Sequence, residues 1–190
     1  MSLHLLYLLG GPGSGKTTVL ETLLGLPYNE QSWVGSDDPF AHLRLDAVVL
    51  LGRRRAGFGG TDTLPMNVAR KAEAWIASTP AQVVAGEGDR LAYNGFFCAA
   101  RDAGYRLSVI HLDTGPDVAA QRRAARAAAL GTKLQNPTWV RGRESKAAKL
   151  AARWSTDWVN GNNTVPTVVA IIRRQLREAG NPLGDVAVRG

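Results

Sequence analysis

The sequence has a single cysteine, Cys98, so no intrachain disulfide can form and no cysteine-based zinc site is available. Its three histidines, His4, His42 and His111, have neither the neighbours nor the spacing of a metal site and read as structural residues. Long hydrophobic runs are missing as well. The N-terminal stretch Leu3–Leu9 is too short to span a bilayer, follows no basic segment and runs straight into glycines. It is expected to be a buried strand of a soluble, cytoplasmic protein with no membrane partner. The scarcity of charge (21%) beside 45% hydrophobic residues excludes a disordered chain.

What is present is 190 residues, enough to bury a core without staples. We expect one domain over residues 1–180 and a flexible tail over 181–190. The formal charge is +7, and it is unevenly placed. Residues 122–153 carry nine basic side chains (Arg122, Arg123, Arg126, Lys133, Arg141, Arg143, Lys146, Lys149, Arg153) against Glu144, a local charge of +8. The remainder, with fourteen basic and fifteen acidic residues, is close to neutral. Such a segment is either a solvated helix face or an anion site for the phosphates of a nucleotide or a nucleic acid.

Strand and helix patterns alternate along the chain. Strands are expected at Leu3–Leu9, Gln31–Gly35, Ala47–Leu51, Ala81–Ala85, Arg106–Leu112 and Trp158–Asn160. Helices are expected at Lys16–Leu26, Pro65–Ser78, Leu91–Ala103, Pro116–Leu130, Glu144–Trp154 and Val165–Ala179, with a loop over Gly131–Gly142 marked by Pro137. Alternation of this kind implies a mainly parallel sheet covered on both faces.

The strongest motif is Gly10-Gly11-Pro12-Gly13-Ser14-Gly15-Lys16-Thr17-Thr18, a GxxxxGK[ST] loop between a strand and a helix. Gly11, Gly13, Ser14 and Gly15 let the backbone wrap a phosphate chain, and the helix start adds its positive dipole end. Lys16 is placed to reach the β- and γ-phosphates, with Thr17 as a Mg²⁺ ligand and Thr18 beside it. The expected fold is therefore a three-layer α/β P-loop NTPase of the kinase-like kind, binding ATP and Mg²⁺, with a basic lid insertion over about residues 131–153. A GTPase would need an NKxD-type motif, and Asn160-Gly161-Asn162-Asn163 has neither its Lys nor its Asp. The short chain and its Arg-rich helix also fit a kinase better than a motor ATPase.

The loop resembles those of small P-loop kinases that act on nucleoside monophosphates or polynucleotides. Val109-Ile110-His111-Leu112-Asp113 followed by Gln121-Arg122-Arg123-Ala124-Ala125-Arg126 looks like their approach to the lid. That resemblance implies that Arg122, Arg126 and the lid's Arg143 neutralise the transferring phosphoryl group. It also implies that Asn160 and Asn162 lie beside the adenine. An acceptor hydroxyl needs a carboxylate base. Asp37 and Asp38 stand where polynucleotide kinases keep an Asp-Asp pair, and Asp62 lies in a second acidic turn; any of them could instead cap a helix. Glu87, after an apolar strand, is a candidate to hold Mg²⁺ or orient substrate.

A narrower pattern joins Leu51-Gly52-Arg53 and Phe58-Gly59-Gly60-Thr61-Asp62-Thr63-Leu64 to Gln135 and Thr138-Trp139-Val140-Arg141-Gly142-Arg143-Glu144-Ser145-Lys146. It resembles phage-encoded 5-hydroxymethyluracil DNA kinases across about residues 3–178. The resemblance implies DNA as substrate and partner, with Arg53, Arg55, Phe58, Thr61, Glu87, Trp139, Arg141 and Lys146 on the substrate side. Trp139, Trp154 or Phe58 would stack an extruded base, or else pack in the core. A deoxynucleoside monophosphate kinase and a non-catalytic ATP-binding accessory module are the alternatives.

Overall fold

The computed structural model describes residues 2–26, 37–45, 48–55 and 58–185. The expected strand at 31–35 lies outside the described residues. The first strand, β1 (Leu3–Leu9), leads through the glycine loop into α1 (Lys16–Leu24). β2 (His42–Leu45) and β3 (Val48–Leu51) follow, then a hairpin of β4 (Arg53–Arg55) and β5 (Phe58–Gly60), and a 3-10 turn at Thr61–Thr63. Next come α2 (Ala69–Ser78), β6 (Val83–Glu87), α3 (Asn94–Asp102), β7 (Tyr105–Asp113) and α4 (Pro116–Ala129). α5 (Pro137–Trp154), β8 (Asp157–Asn160), α6 (Val165–Glu178) and a 3-10 turn at Pro182–Asp185 complete the described chain.

The main sheet has the order β2-β3-β6-β1-β7-β8 and is parallel apart from the antiparallel β2–β3 pair. β1 is central because its side chains are apolar in both directions. Leu5, Tyr7 and Leu9 face one core with α2, α3 and the end of α5, whereas Leu6 and Leu8 face another with α1 and α6. Those two cores make the three layers. Among the described residues, no helix is long and apolar enough to cross a membrane.

The structure departs from sequence expectation in four places. β2 and the β4–β5 hairpin are additional, since runs of three or four residues carry little periodicity. α2 starts at Ala69 rather than Pro65, because the chain leaves the 3-10 turn extended at Leu64, as a residue before proline prefers. α5 starts at Pro137, so the second half of the expected loop at 131–142 is helix. Asn136 caps it by accepting from the Thr138 and Trp139 N–H groups at 2.8 and 3.2 Å, and Pro137 occupies the first position, where no N–H is needed. Finally, residues 182–185 of the expected tail form a turn against α6 that buries Leu183.

Candidate active site

Parallel strands place their chemistry at their C-terminal edge. β1 and β6 run in register with Leu8 opposite Glu87, so the phosphate loop and Glu87 leave the sheet side by side. β3 delivers the hairpin and the Thr61–Thr63 turn to this edge, and β8 delivers residues 161–163. Together they border a cleft of about 620 Å³, of a size suited to a nucleotide.

The loop is shaped for a phosphate chain. Gly13 has φ +88°, and a Cβ there would lie 2.5 Å from the Ala119 carbonyl, so only glycine fits. α1 has no acidic residue in its first turn to compete with an anion. Lys16 Nζ donates to the Gly10 and Gly11 carbonyls at 2.9 and 3.0 Å and to Ser14 Oγ at 3.3 Å. Burial lowers its pKa, against the opposing pull of Glu87, Asp62 and Asp89. Gly13, Ser14, Gly15, Lys16, Thr17 and Thr18 all border the cleft.

Thr17 Oγ1 donates to Glu87 Oε1 at 2.8 Å. Glu87 is buried, and burial pushes its pKa up to about 7, with Lys16 pulling down and Asp62 pushing up. The β5 glycines close over this pair. A Cβ on Gly60, at φ +58°, would stand 2.3 Å from Glu87 Oε1. The Gly-Gly spacing is thus a requirement of close approach, and it fixes the turn that follows. There Thr61 is wholly buried, and its Oγ1 shares a hydrogen bond of 3.0 Å with the Tyr7 hydroxyl, which also donates to the Gly88 carbonyl. Asp62, one residue on, borders the cleft and accepts the Asp89 N–H at 2.6 Å.

The basic segment forms the opposite wall. Arg122 donates to the Gly161 carbonyl at 2.9 Å and the Ser14 carbonyl at 3.4 Å, and Arg123 to the Pro12 carbonyl at 2.8 Å. Glu144 of α5 leans on Gly11 and lies 3.7 Å from Arg123. Arg143 pairs with Asp89, and Lys146 bonds Asp89 Oδ1 and the Asp89 carbonyl, both at 2.9 Å. Trp139 is 44% exposed and borders the cleft, with the Arg143 guanidinium 5.2 Å from its ring centroid.

Residues 1–173 match the family model described as P-loop nucleotide kinase 3. The chain belongs to that family. No curated protein matches this P-loop kinase in sequence. Among solved structures it is similar to the shikimate kinase of Aquifex aeolicus vf5, at 15% identity and TM-score 0.47, over 93% of this chain and 98% of that one. It is similar also to a gluconokinase from Sinorhizobium meliloti 1021, at 13% identity and TM-score 0.49, over 94% and 98%.

In this P-loop kinase the expected site residues divide. Arg122, Arg126, Arg143, Asp62, Glu87 and Trp139 gather on the cleft. Asp37 does not: it pairs with Arg53 and borders a separate depression of about 310 Å³ with Phe40, Thr63 and Lys71. Asp38 is exposed and is not part of the cleft lining. Asn160 Oδ1 accepts the Asn162 N–H and Asn162 Oδ1 the Gly115 N–H, and Gly161 and Asn163, rather than these two, border the cleft. Thr61 is sealed by Tyr7 rather than open to substrate, and Arg141 turns outward onto Thr138 Oγ1. Trp154 packs on Phe97 and donates to Asn94 Oδ1, so it is a core residue. The side chains of Arg55 and Phe58 lie outside what the structure describes. Sequence reasoning gave no role to Asp89 or Arg90, and quoted Gln135 only as part of the resemblance; all three border the cleft. The Gly86-Glu87-Gly88-Asp89-Arg90 segment carried the only signal, two acids and a base directly after a buried strand.

Proposed function

We propose that this kinase transfers the γ-phosphate of ATP to the hydroxymethyl group of 5-hydroxymethyluracil in DNA, a step of phage DNA hypermodification in the host cytoplasm. The observation that carries the reading is the position of Asp62. A glycine-constrained hairpin presents its carboxylate to the same cleft that Lys16 and the exposed Trp139 border. The acceptor oxygen attacks the γ-phosphorus, the bond from that phosphorus to the bridging oxygen breaks, and ADP leaves. The acceptor proton passes to Asp62. Lys16, Arg126 and Arg143 supply positive charge around the transferred group, while Arg122 braces the loop. Trp139 is the platform on which an extruded base would stack.

Mg²⁺ would neutralise phosphate charge and orient the triphosphate. Thr17 and Glu87 suit it: a hydroxyl and a buried carboxylate already meet beside the loop. Among the described residues no three His, Cys, Asp or Glu side chains cluster as a metal site.

A deoxynucleoside monophosphate acceptor is favoured by one specific observation. Arg122, Arg123, Arg143 and Lys146 are engaged inside the protein, so the basic surplus available to a DNA backbone is smaller than composition suggests. The test uses γ-labelled ATP with duplex DNA containing 5-hydroxymethyluracil, ordinary DNA, and deoxynucleoside monophosphates. Label in the modified duplex alone is expected. Label only in monophosphates moves the assignment to the second acceptor, and ATP binding with no labelled acceptor moves it to an accessory module.

A further inference from the structure

Asp89 has no part in the chemistry described so far, yet it joins Asp62 to Arg143 and Lys146. Its N–H donates to Asp62 Oδ1 at 2.6 Å, which orients the carboxylate on the acceptor side. It lies two residues after Glu87, so the strand that carries Glu87 also sets its position. Its own carboxylate receives Arg143 on one oxygen and Lys146 on the other, and its carbonyl receives Lys146 a second time. Arg143 and Lys146 are three residues apart on α5 and project from one face of the helix. They differ in one respect. Arg143 borders the cleft and Lys146 does not.

We infer that Asp89 is a positioning residue that shares Arg143 with the nucleotide's phosphates while Lys146 keeps α5 anchored to the Asp62 turn. A triphosphate carries several negative charges against the single charge of Asp89, and an arginine fork binds either. Arg143 therefore passes between the two anions, whereas Lys146, held by both the carboxylate and the carbonyl of Asp89, stays. Asp89 lowers the affinity for ATP by competing for Arg143, and it speeds transfer by keeping Asp62 aligned with the lid. The inference rests on the kinase reading and not on the identity of the acceptor.

The test is Asp89→Asn, which keeps the shape and the N–H but removes the charge. ATP binding by titration calorimetry is expected to tighten about fivefold. Transfer to the acceptor labelled in the assay above is expected to slow about tenfold. A residue serving only stability would not produce tighter binding with slower transfer. In an Arg143→Gln background the same substitution is expected to leave ATP affinity unchanged. Unchanged or weaker ATP binding by Asp89→Asn, or tightening that persists without Arg143, overturns the inference. If Asp89→Asn does not melt cooperatively, Lys146→Gln against Arg143→Gln decides. Lys146→Gln should raise amide exchange across 137–146 at unchanged ATP affinity, and Arg143→Gln should weaken ATP. Equal weakening by both overturns the inference. Because ATP binding is read without an acceptor, a wrong acceptor assignment leaves that arm intact.

Discussion

The phosphate loop and the acceptor wall face each other across one cleft and are built in opposite ways. Nine consecutive residues, Gly10–Thr18, supply the first, and its lysine is held locally: Lys16 reaches carbonyls five and six residues back. The second is assembled from afar. Asp62 meets Asp89 across 27 residues, and Asp89 meets Arg143 across another 54. A short loop can be carried by a motif because its geometry comes from backbone conformation and a helix start. A wall made of distant side chains needs the sheet to bring its parts together. The loop half should therefore fail outright when a single charge is lost, and the assembled half should fail by degrees.

The largest effect tests the loop half. Lys16→Ala is expected to lower transfer by about 10³-fold or more, measured as labelled acceptor per unit time, with the melting transition retained. Transfer within tenfold of the parent would break the comparison at its stronger side.

Next comes the choice between the two acidic turns. Asp62→Asn should reduce kcat by about 10²-fold with little change in ATP affinity. Asp37→Asn, whose carboxylate pairs with Arg53 at a separate depression, should stay within about twofold. Equal loss in the two variants would mean that the cleft does not select the base.

A smaller effect, about tenfold, is expected for Trp139→Ala on the KM for modified duplex DNA, with kcat and ATP affinity nearly unchanged. Binding of the duplex should also weaken steeply with salt. A flat salt response together with an unchanged KM would restrict the cleft to mononucleotides.

The smallest effect is a pH dependence at the seam between the halves. Glu87 is pushed up from 4.5 to about 7, so the folded protein holds a proton there that the unfolded chain has lost. Its contribution to stability is complete below the ordinary carboxyl range and fades as pH rises through about 7. Under the proposed role of Glu87 as a Mg²⁺ ligand, Mg²⁺-dependent ATP binding should strengthen over the same interval. Thermal melts and Mg²⁺ titrations of Glu87→Gln, from about pH 5 to about pH 8, should lose both trends. Trends that survive the substitution would assign them to another group.

Legibility in the sequence followed the same division. β1, α1 and the alternation of later strands and helices were readable because burial on two faces leaves long apolar runs and clear helical periods. The α5 start was not, because Pro137 reads as a breaker until Asn136 is seen to cap it. Asp37 and Asp62 looked alike as acidic turns, and the hairpin alone separates them. The nine cations of residues 122–153 looked like one anion site. Folding gives five of them separate places: loop bracing by Arg122 and Arg123, pairing with Asp89 by Arg143 and Lys146, and a place on the cleft for Arg126.

The amino-acid sequence by itself determined that this chain is an α/β protein with a phosphate loop, because that information lies in local backbone preferences and in the period of apolar residues. Only the tertiary structure decided which acids share the cleft with Lys16, which tryptophan borders it, and which arginines are already engaged. Those are questions of distance between segments far apart in the chain. They are answered by the register of β1 with β6, by the close approach that Gly60 permits, and by the lean of α5 over the loop.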